Sequence, residues 1–143
     1  MRIYLFDFDN TIVELPYEES LTYMDTDKSL DLSLGFKQIT RTKKGYQNAL
    51  NSNDGPIFLL SNRVIEVKKA LESLLKTLGY TFDDYFLIDG ADRKKGNRLK
   101  QILAKYPNCK HIQYWEDKDK HIKDITDTVK EYPDIELEII KTI

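Results

Sequence analysis

An α/β fold built on a doubly wound, parallel sheet of about five strands is what this sequence predicts. Two observations carry the prediction. Apolar runs of strand length alternate with helical stripes through the last two-thirds of the chain, and most of the runs stop in polar residues. The third consideration is size: 143 residues suit a single domain over 1–143, which at this length buries about two-thirds of its unfolded surface.

The first strand is Ile3-Tyr4-Leu5-Phe6, running straight into Asp7-Phe8-Asp9-Asn10-Thr11. Residues two apart on an extended chain point the same way, so Asp7 and Asp9 are expected to share one face at the strand's end. Two unit charges about 4 Å apart repel by roughly 4 kcal/mol at an effective dielectric near 20. Such a pair calls for neutralisation, which a hard divalent cation such as Mg²⁺ supplies through carboxylate and carbonyl oxygens. The plainer reading is a turn, since Asp and Asn are ordinary turn residues.

Residues 14–55 are the least legible stretch. They hold Pro16, the acidic Glu18-Glu19, Asp25 and Asp27, a basic patch from Lys37 to Lys44, and a short helical pattern near Tyr46 to Leu50. A long connection of this kind is usually functional.

Ile57-Phe58-Leu59-Leu60 and Tyr85-Phe86-Leu87-Ile88 are continuously apolar, as strands covered on both faces should be. His111-Ile112-Gln113-Tyr114-Trp115 ends in Glu116-Asp117, whereas Ile135-Glu136-Leu137-Glu138-Ile139 alternates and suits an exposed edge. Between them the period turns helical. Val64, Val67, Leu71, Leu74, Leu75 and Leu78 mark one stripe, stopped by Gly79; Leu99, Ile102, Leu103 and Tyr106 mark a second, stopped by Pro107; Ile122, Ile125, Val129 and Tyr132 mark a third, stopped by Pro133. Each is read as core rather than as a binding surface.

In a parallel sheet the strand carboxyl ends collect on one edge, and there this chain carries Asp7 and Asp9, Ser61-Asn62-Arg63, Asp89, and Glu116-Asp117. Open α/β sheets bind ligands at that edge, beside the topological switch point. Independent turns would rarely bring two acidic pairs and a hydroxyl to one place, which favours a shared site over an incidental turn.

Composition narrows the function classes. The formal charge is −2, which supplies no global drive toward nucleic acid or anionic membrane. The single cysteine, Cys109, excludes an internal disulfide and a Cys-rich zinc site, and reads as a small apolar filler. Two histidines are too few for a histidine-rich metal centre. No run approaches about 18 apolar residues and no signal peptide is legible, so a soluble cytoplasmic protein is expected.

These residues resemble the haloacid dehalogenase superfamily of aspartate-nucleophile phosphatases, over nearly the whole chain except about residues 14 to 55. Asp7-Phe8-Asp9-Asn10-Thr11 is similar to its first motif, Leu59-Leu60-Ser61-Asn62-Arg63 to its second and Trp115-Glu116-Asp117 to its acidic fourth, while the third is a basic residue before a helix. Within the superfamily the Ser61-Asn62-Arg63 run, Phe82-Asp83, and Tyr114-Trp115-Glu116-Asp117-Lys118 with His121 resemble the Swiss Army Knife RNA repair-like branch. This chain has Ser61-Asn62 where that branch has Thr-Gly, and Lys118 where it has Arg.

The resemblance implies a Rossmann-like domain in which 14–55 forms a flap and minimal cap. It implies that Asp7 attacks phosphorus to form an acyl-phosphate, that Asp9 protonates the leaving oxygen and then activates water, and that Thr11 positions Asp9. Ser61 would bond the phosphoryl oxygens, and Glu116 and Asp117 would hold Mg²⁺ with the Asp7 carboxylate and the Asp9 carbonyl. Asn62 and Arg63 join the substrate-binding set, although a helix-start salt bridge serves Arg63 equally well. Arg93, Lys94, Lys95, Arg98 and Lys100 compete to balance the transferring phosphate. Lys95 is preferred because it opens a helix and lies 21 positions before Glu116, about the family spacing; Lys94 and Lys100 remain alternatives. His121 reads as packing or capping and Asp89 as a turn.

The expected activity is that of a Mg²⁺-dependent phosphomonoester hydrolase, and the alternative is a catalytically silent binding or regulatory module on the same fold. A phosphorelay receiver is disfavoured by the Asp9-Asn10-Thr11 continuation. The short cap, the basic clusters at Lys37 to Lys44 and Arg93 to Lys100, and the resemblance together point to a phosphate on a nucleotide or nucleic-acid end.

Overall fold

The computed structural model describes residues 1–15, 30 and 35–142. Pro16, Glu18-Glu19, Asp25 and Asp27 lie outside the described residues.

Strand β1 (Arg2–Phe6) lies at the centre of a five-stranded sheet. After it come the two-residue strands β2 (Val13–Glu14) and β3 (Lys37–Gln38), then α1 (Thr40–Ser52) and β4 (Ile57–Val64). A short 3₁₀ turn (Ile65–Val67), α2 (Lys68–Thr77) and β5 (Asp84–Ile88) follow. Helix α3 (Lys95–Lys105), β6 (His111–Glu116), α4 (Asp119–Val129) and β7 (Glu136–Lys141) complete the order. The sheet runs β5-β4-β1-β6-β7 and every pairing in it is parallel. The chain therefore builds outward from β1 on one side, then returns to the other, which makes the end of β1, between β4 and β6, the switch point.

Alternation along β1 divides the interior into two layers. Tyr4 and Phe6 face a cluster with Tyr46 and Ala49 of α1 and Leu71, Leu74 and Leu75 of α2. Ile3 and Leu5 face Leu99, Ile102 and Leu103 of α3 with Ile125 and Val129 of α4. This is the doubly wound, Rossmann-like arrangement. No described helix is long and apolar enough to cross a membrane.

Three local readings change. Val64 ends β4 instead of opening the helical stripe, because the strand continues through Ser61-Asn62-Arg63 with a register irregularity between Leu60 and Val64. Strand β5 lies at a sheet edge, with Tyr85 and Phe86 only half-buried, although its apolar run suggested cover on both faces. Helix α1 is 13 residues long, well beyond Tyr46 to Leu50. Gly45 and the polar residues around it obscured its stripe, yet a Cβ on Gly45 would fall 2.2 Å from the Trp115 ring, so a glycine is what lets α1 lie on Trp115. On either side of the connection that runs through residues outside those described, β2 and β3 pair antiparallel, Val13 with Gln38 and Glu14 with Lys37, forming a small two-stranded ribbon after the end of β1.

Candidate active site

β1 ends at Phe6, and the following turn positions the acids. The Phe8 carbonyl accepts from the N–H groups of Thr11 (3.2 Å) and Ile12 (2.9 Å), and the Asn10 N–H donates to the Val13 carbonyl at 2.8 Å. Asn10 has φ of 58°, a left-handed conformation that Asn tolerates better than most residues. Asp7 and Asp9 are both buried in consequence, at 5% and 6% exposure. They do not share one neutralising partner.

Asp7 faces α3 and β6. Lys95, fully buried, donates to Asp7 Oδ1 at 2.9 Å and to Glu116 Oε1 at 2.6 Å. The Thr11 hydroxyl donates to Asp7 Oδ2 at 3.2 Å, so Thr11 touches Asp7 rather than Asp9. Lys94 is exposed and Lys100 pairs with Glu131 at 3.1 Å; of the competing lysines, Lys95 is the one that reaches the acids.

Asp9 turns toward β4. Arg63 Nε donates to Asp9 Oδ2 at 3.0 Å and an Arg63 terminal nitrogen to Oδ1 at 2.6 Å, a fork-on-carboxylate pair within the interior. The Arg63 fork is thus on Asp9, and neither at a helix start nor turned outward for a substrate phosphate, because Arg63 is still in the strand. Ser61, also fully buried, accepts the Arg63 N–H at 3.1 Å through Oγ, which leaves its O–H to donate. Arg98 donates to the carbonyls of Ser61 (2.6 Å) and Phe86 (3.1 Å) and to the Asn62 side-chain oxygen. Asn62 donates to the Arg93 carbonyl at 3.1 Å and reaches His121 Nε2 at 3.4 Å.

Glu116 is the hub. Its Oε1 also accepts the Tyr114 hydroxyl at 2.5 Å and lies 3.1 Å from His121 Nδ1, while its Oε2 accepts the Asp117 N–H at 3.0 Å. Asp117 is different: its Oδ1 is buried and has no hydrogen-bond partner among the described residues. Carboxylate oxygens of Asp7, Glu116 and Asp117 lie within 4.8 Å of one another. Asp89, by contrast, is exposed beside Gly90, whose φ is 96°, and belongs to a turn.

Crowding three acids around one ammonium shapes their protonation. Burial, reinforced by the Glu116 charge, holds the Asp7 carboxyl well above its ordinary range against the pull of Lys95. Burial opposes the charge on Lys95, but the Asp7 and Glu116 carboxylates outweigh it and raise its pKa. Burial likewise works against ionised Glu116, yet Lys95 and the His121 contact hold it below the carboxylate range. Burial and Glu116 push Asp117 up to about 7. One ammonium does not hold all three acids ionised against their burial, which is why Asp7 and Asp117 are pushed up. A buried oxygen with no hydrogen bond among the described residues and hard donors that a cation would ionise fit a small divalent ion. Asp7, Glu116 and Asp117 can each offer one oxygen to such an ion, and Asp117 Oδ1 is the one with no hydrogen bond among the described residues.

No family model and no curated protein sequence matches the chain. Among solved structures it is similar to a chain in the structure of a Pnkp1/Rnl/Hen1 complex, with a TM-score of 0.63 over 98% of this chain at 15% identity. The likeness is one of fold. This chain spans 46% of that chain's length.

Three members of the network have other or no roles in the sequence reading: Arg98 enters it only as a phosphate-balancing cation, His121 as packing or capping, and Tyr114 is not singled out. Tyr114 stands two positions before Glu116 on β6, so strand alternation alone puts both side chains on one face. His121 lies on the first turn of α4, within reach of Glu116, and Arg98 lies one turn after Lys95; each carried a signal in its spacing from a recognised residue.

Proposed function

We propose that this chain is a Mg²⁺-dependent phosphomonoester hydrolase of the haloacid dehalogenase type, working through an aspartyl-phosphate on Asp7. The observation that carries the reading is Lys95 bridging Asp7 and Glu116 at the switch point, beside the Asp117 Oδ1 that has no hydrogen bond among the described residues. Asp7 would hold the ion together with Glu116, Asp117 and the Asp9 carbonyl, with Glu116 also orienting Lys95. When bound, Mg²⁺ supplies charge neutralisation for the transferring phosphoryl group.

The chain's own residues do the rest. Lys95 and Thr11 fix the two Asp7 oxygens so that the carboxylate is held in one orientation for attack on phosphorus, which replaces one difficult displacement by two easier ones. The P–O bond to the alcohol breaks as the Asp7 O–P bond forms, and the departing oxygen takes its proton from Asp9. Water then attacks the acyl-phosphate, giving its proton back to Asp9 and restoring Asp7. Ser61 donates its free O–H to a phosphoryl oxygen, and Lys95 balances charge developing there.

A nucleotide or nucleic-acid terminal phosphate is the substrate form we favour, on the resemblance and the local basic clusters. One observation favours the silent-module alternative: in the state described, both Asp9 oxygens are taken by Arg63. Phosphate release from a panel of monoesters, with Mg²⁺ and with EDTA, separates the two. Mg²⁺-dependent turnover lost in Asp7→Asn supports the hydrolase; absence of turnover on every ester overturns it.

A further inference from the structure

Between the N-terminal ends of α3 and α4 lies an open groove of about 800 Å³, a size that suits a small organic ligand. Asn62 and His121 belong to its lining, and both belong to the hydrogen-bonded chain of the site. His121 Nδ1 is 3.1 Å from Glu116 Oε1, the same oxygen that Lys95 joins to Asp7. The groove is therefore linked to Asp7 through His121, Glu116 and Lys95.

Its carboxylates are occupied and several of its cations are not. Asp92 accepts from the Lys94 N–H at 2.9 Å and from Asn97 at 2.8 Å, Asp124 accepts from the Gly96 N–H at 2.9 Å, and Asp127 pairs with Lys123 at 2.6 Å. Arg93, Lys94 and Lys120 are exposed and have no carboxylate partner among the described residues. The walls are preset. A Cβ on Gly96 would fall 2.2 Å from Thr128 Oγ1 and 2.7 Å from Asp124 Oδ1, so the glycine permits the close approach of α3 to α4 that fixes the groove's width.

Resting on the hydrolase reading, we propose that this groove receives the alcohol half of the substrate and that Arg93, Lys94 and Lys120 hold a second phosphate carried on it. A phosphate dianion recruits several N–H donors at once, Arg as a fork and Lys as a point charge. A neutral alcohol leaves all three cations unpaired. The substrate class is thus a bisphosphate, of a nucleoside or of a sugar.

The test compares kcat/KM within matched pairs: adenosine 3′,5′-bisphosphate against adenosine 3′-monophosphate, and fructose 1,6-bisphosphate against fructose 6-phosphate. At least one bisphosphate is preferred by about tenfold or more, the effect of one charge-assisted contact, and the preferred pair identifies the source. The double variant Arg93→Ala/Lys120→Ala brings that ratio close to unity, while Lys69→Ala/Lys76→Ala on α2, removing the same two charges elsewhere, keeps it. Turnover with no bisphosphate preference, or a preference that survives the double variant, overturns the groove assignment and leaves the hydrolase standing. No phosphate release from any ester removes the hydrolase reading, and the leaving-group role of the groove with it.

Discussion

Arg63 and Asp9 form a bidentate pair, at 3.0 and 2.6 Å, with both side chains buried. The pair joins β4 to the turn after β1, so it decides where the second acid of the motif points. It also separates the two acids electrostatically, since Asp9 answers to a guanidinium and Asp7 to the Lys95 ammonium.

Breaking that pair from one side strands a buried charge. Arg63→Met is expected to cost about 3–5 kcal/mol, and adding Asp9→Asn should recover part of the loss. Urea denaturation of the two single variants and the double variant measures the coupling; strictly additive losses would contradict it.

Lys95→Met should be more damaging still to the site, because it leaves Asp7 and Glu116 facing each other uncompensated. A loss of about 3–5 kcal/mol is expected without metal, and Mg²⁺ should restore part of it. Melting curves with and without Mg²⁺ report both effects.

Mg²⁺ at about 100 times its dissociation constant should add roughly 2.7 kcal/mol of stability to the wild type, several degrees in a chain of this size. Asp117→Asn should raise the metal-free melting temperature, since a neutral isostere relieves crowding beside Asp7 and Glu116, and should shrink the Mg²⁺ shift. A variant that keeps the full shift would remove Asp117 from the ion's ligands.

Asp7→Asn should lower turnover by at least about 10³-fold, because an amide cannot attack phosphorus, while the circular dichroism spectrum stays that of the wild type. Near-normal phosphate release from the purified variant would end the nucleophile assignment.

Gly45→Ala sets two effects against each other. Helix propensity gains about 1 kcal/mol, whereas a Cβ 2.2 Å from the Trp115 ring forces overpacking worth about 1–3 kcal/mol. Trp115 has little room to yield, being stacked on Phe6 at 5.4 Å and bonded to Gln113 at 2.8 Å. Net destabilisation with a shifted Trp115 emission is expected.

Much of the architecture was legible because it rests on short-range pattern. The apolar runs at Ile3–Phe6, Ile57–Leu60 and His111–Trp115 and the stripes of α2, α3 and α4 repeat with periods set by backbone geometry alone. The end of β4 was not, since Ser61-Asn62-Arg63 carries no strand period and is held by partners far along the chain, Arg63 by Asp9, Ser61 and Asn62 by Arg98, and Val64 by its pairing with Ile88. Nor was α1, whose Gly45 has a reason that lies on another strand.

By itself the sequence determined that two acidic pairs and a hydroxyl would gather at the carboxyl edge of a parallel sheet, because residues that end successive parallel strands must share that edge; the choice of lysine rests instead on its place at a helix start and on the spacing of the family the chain resembles. Which partner each acid takes was decided only by the tertiary structure. Hydrogen bonds fall off within a few tenths of an ångström, and the contacts that split Asp7 from Asp9, converge on Glu116 and leave Asp117 Oδ1 without a hydrogen bond among the described residues join residues as far apart as 88 positions, Asp7 and Lys95. No local pattern encodes distances of that kind; the packing of α3 and β4 against the end of β1 sets them.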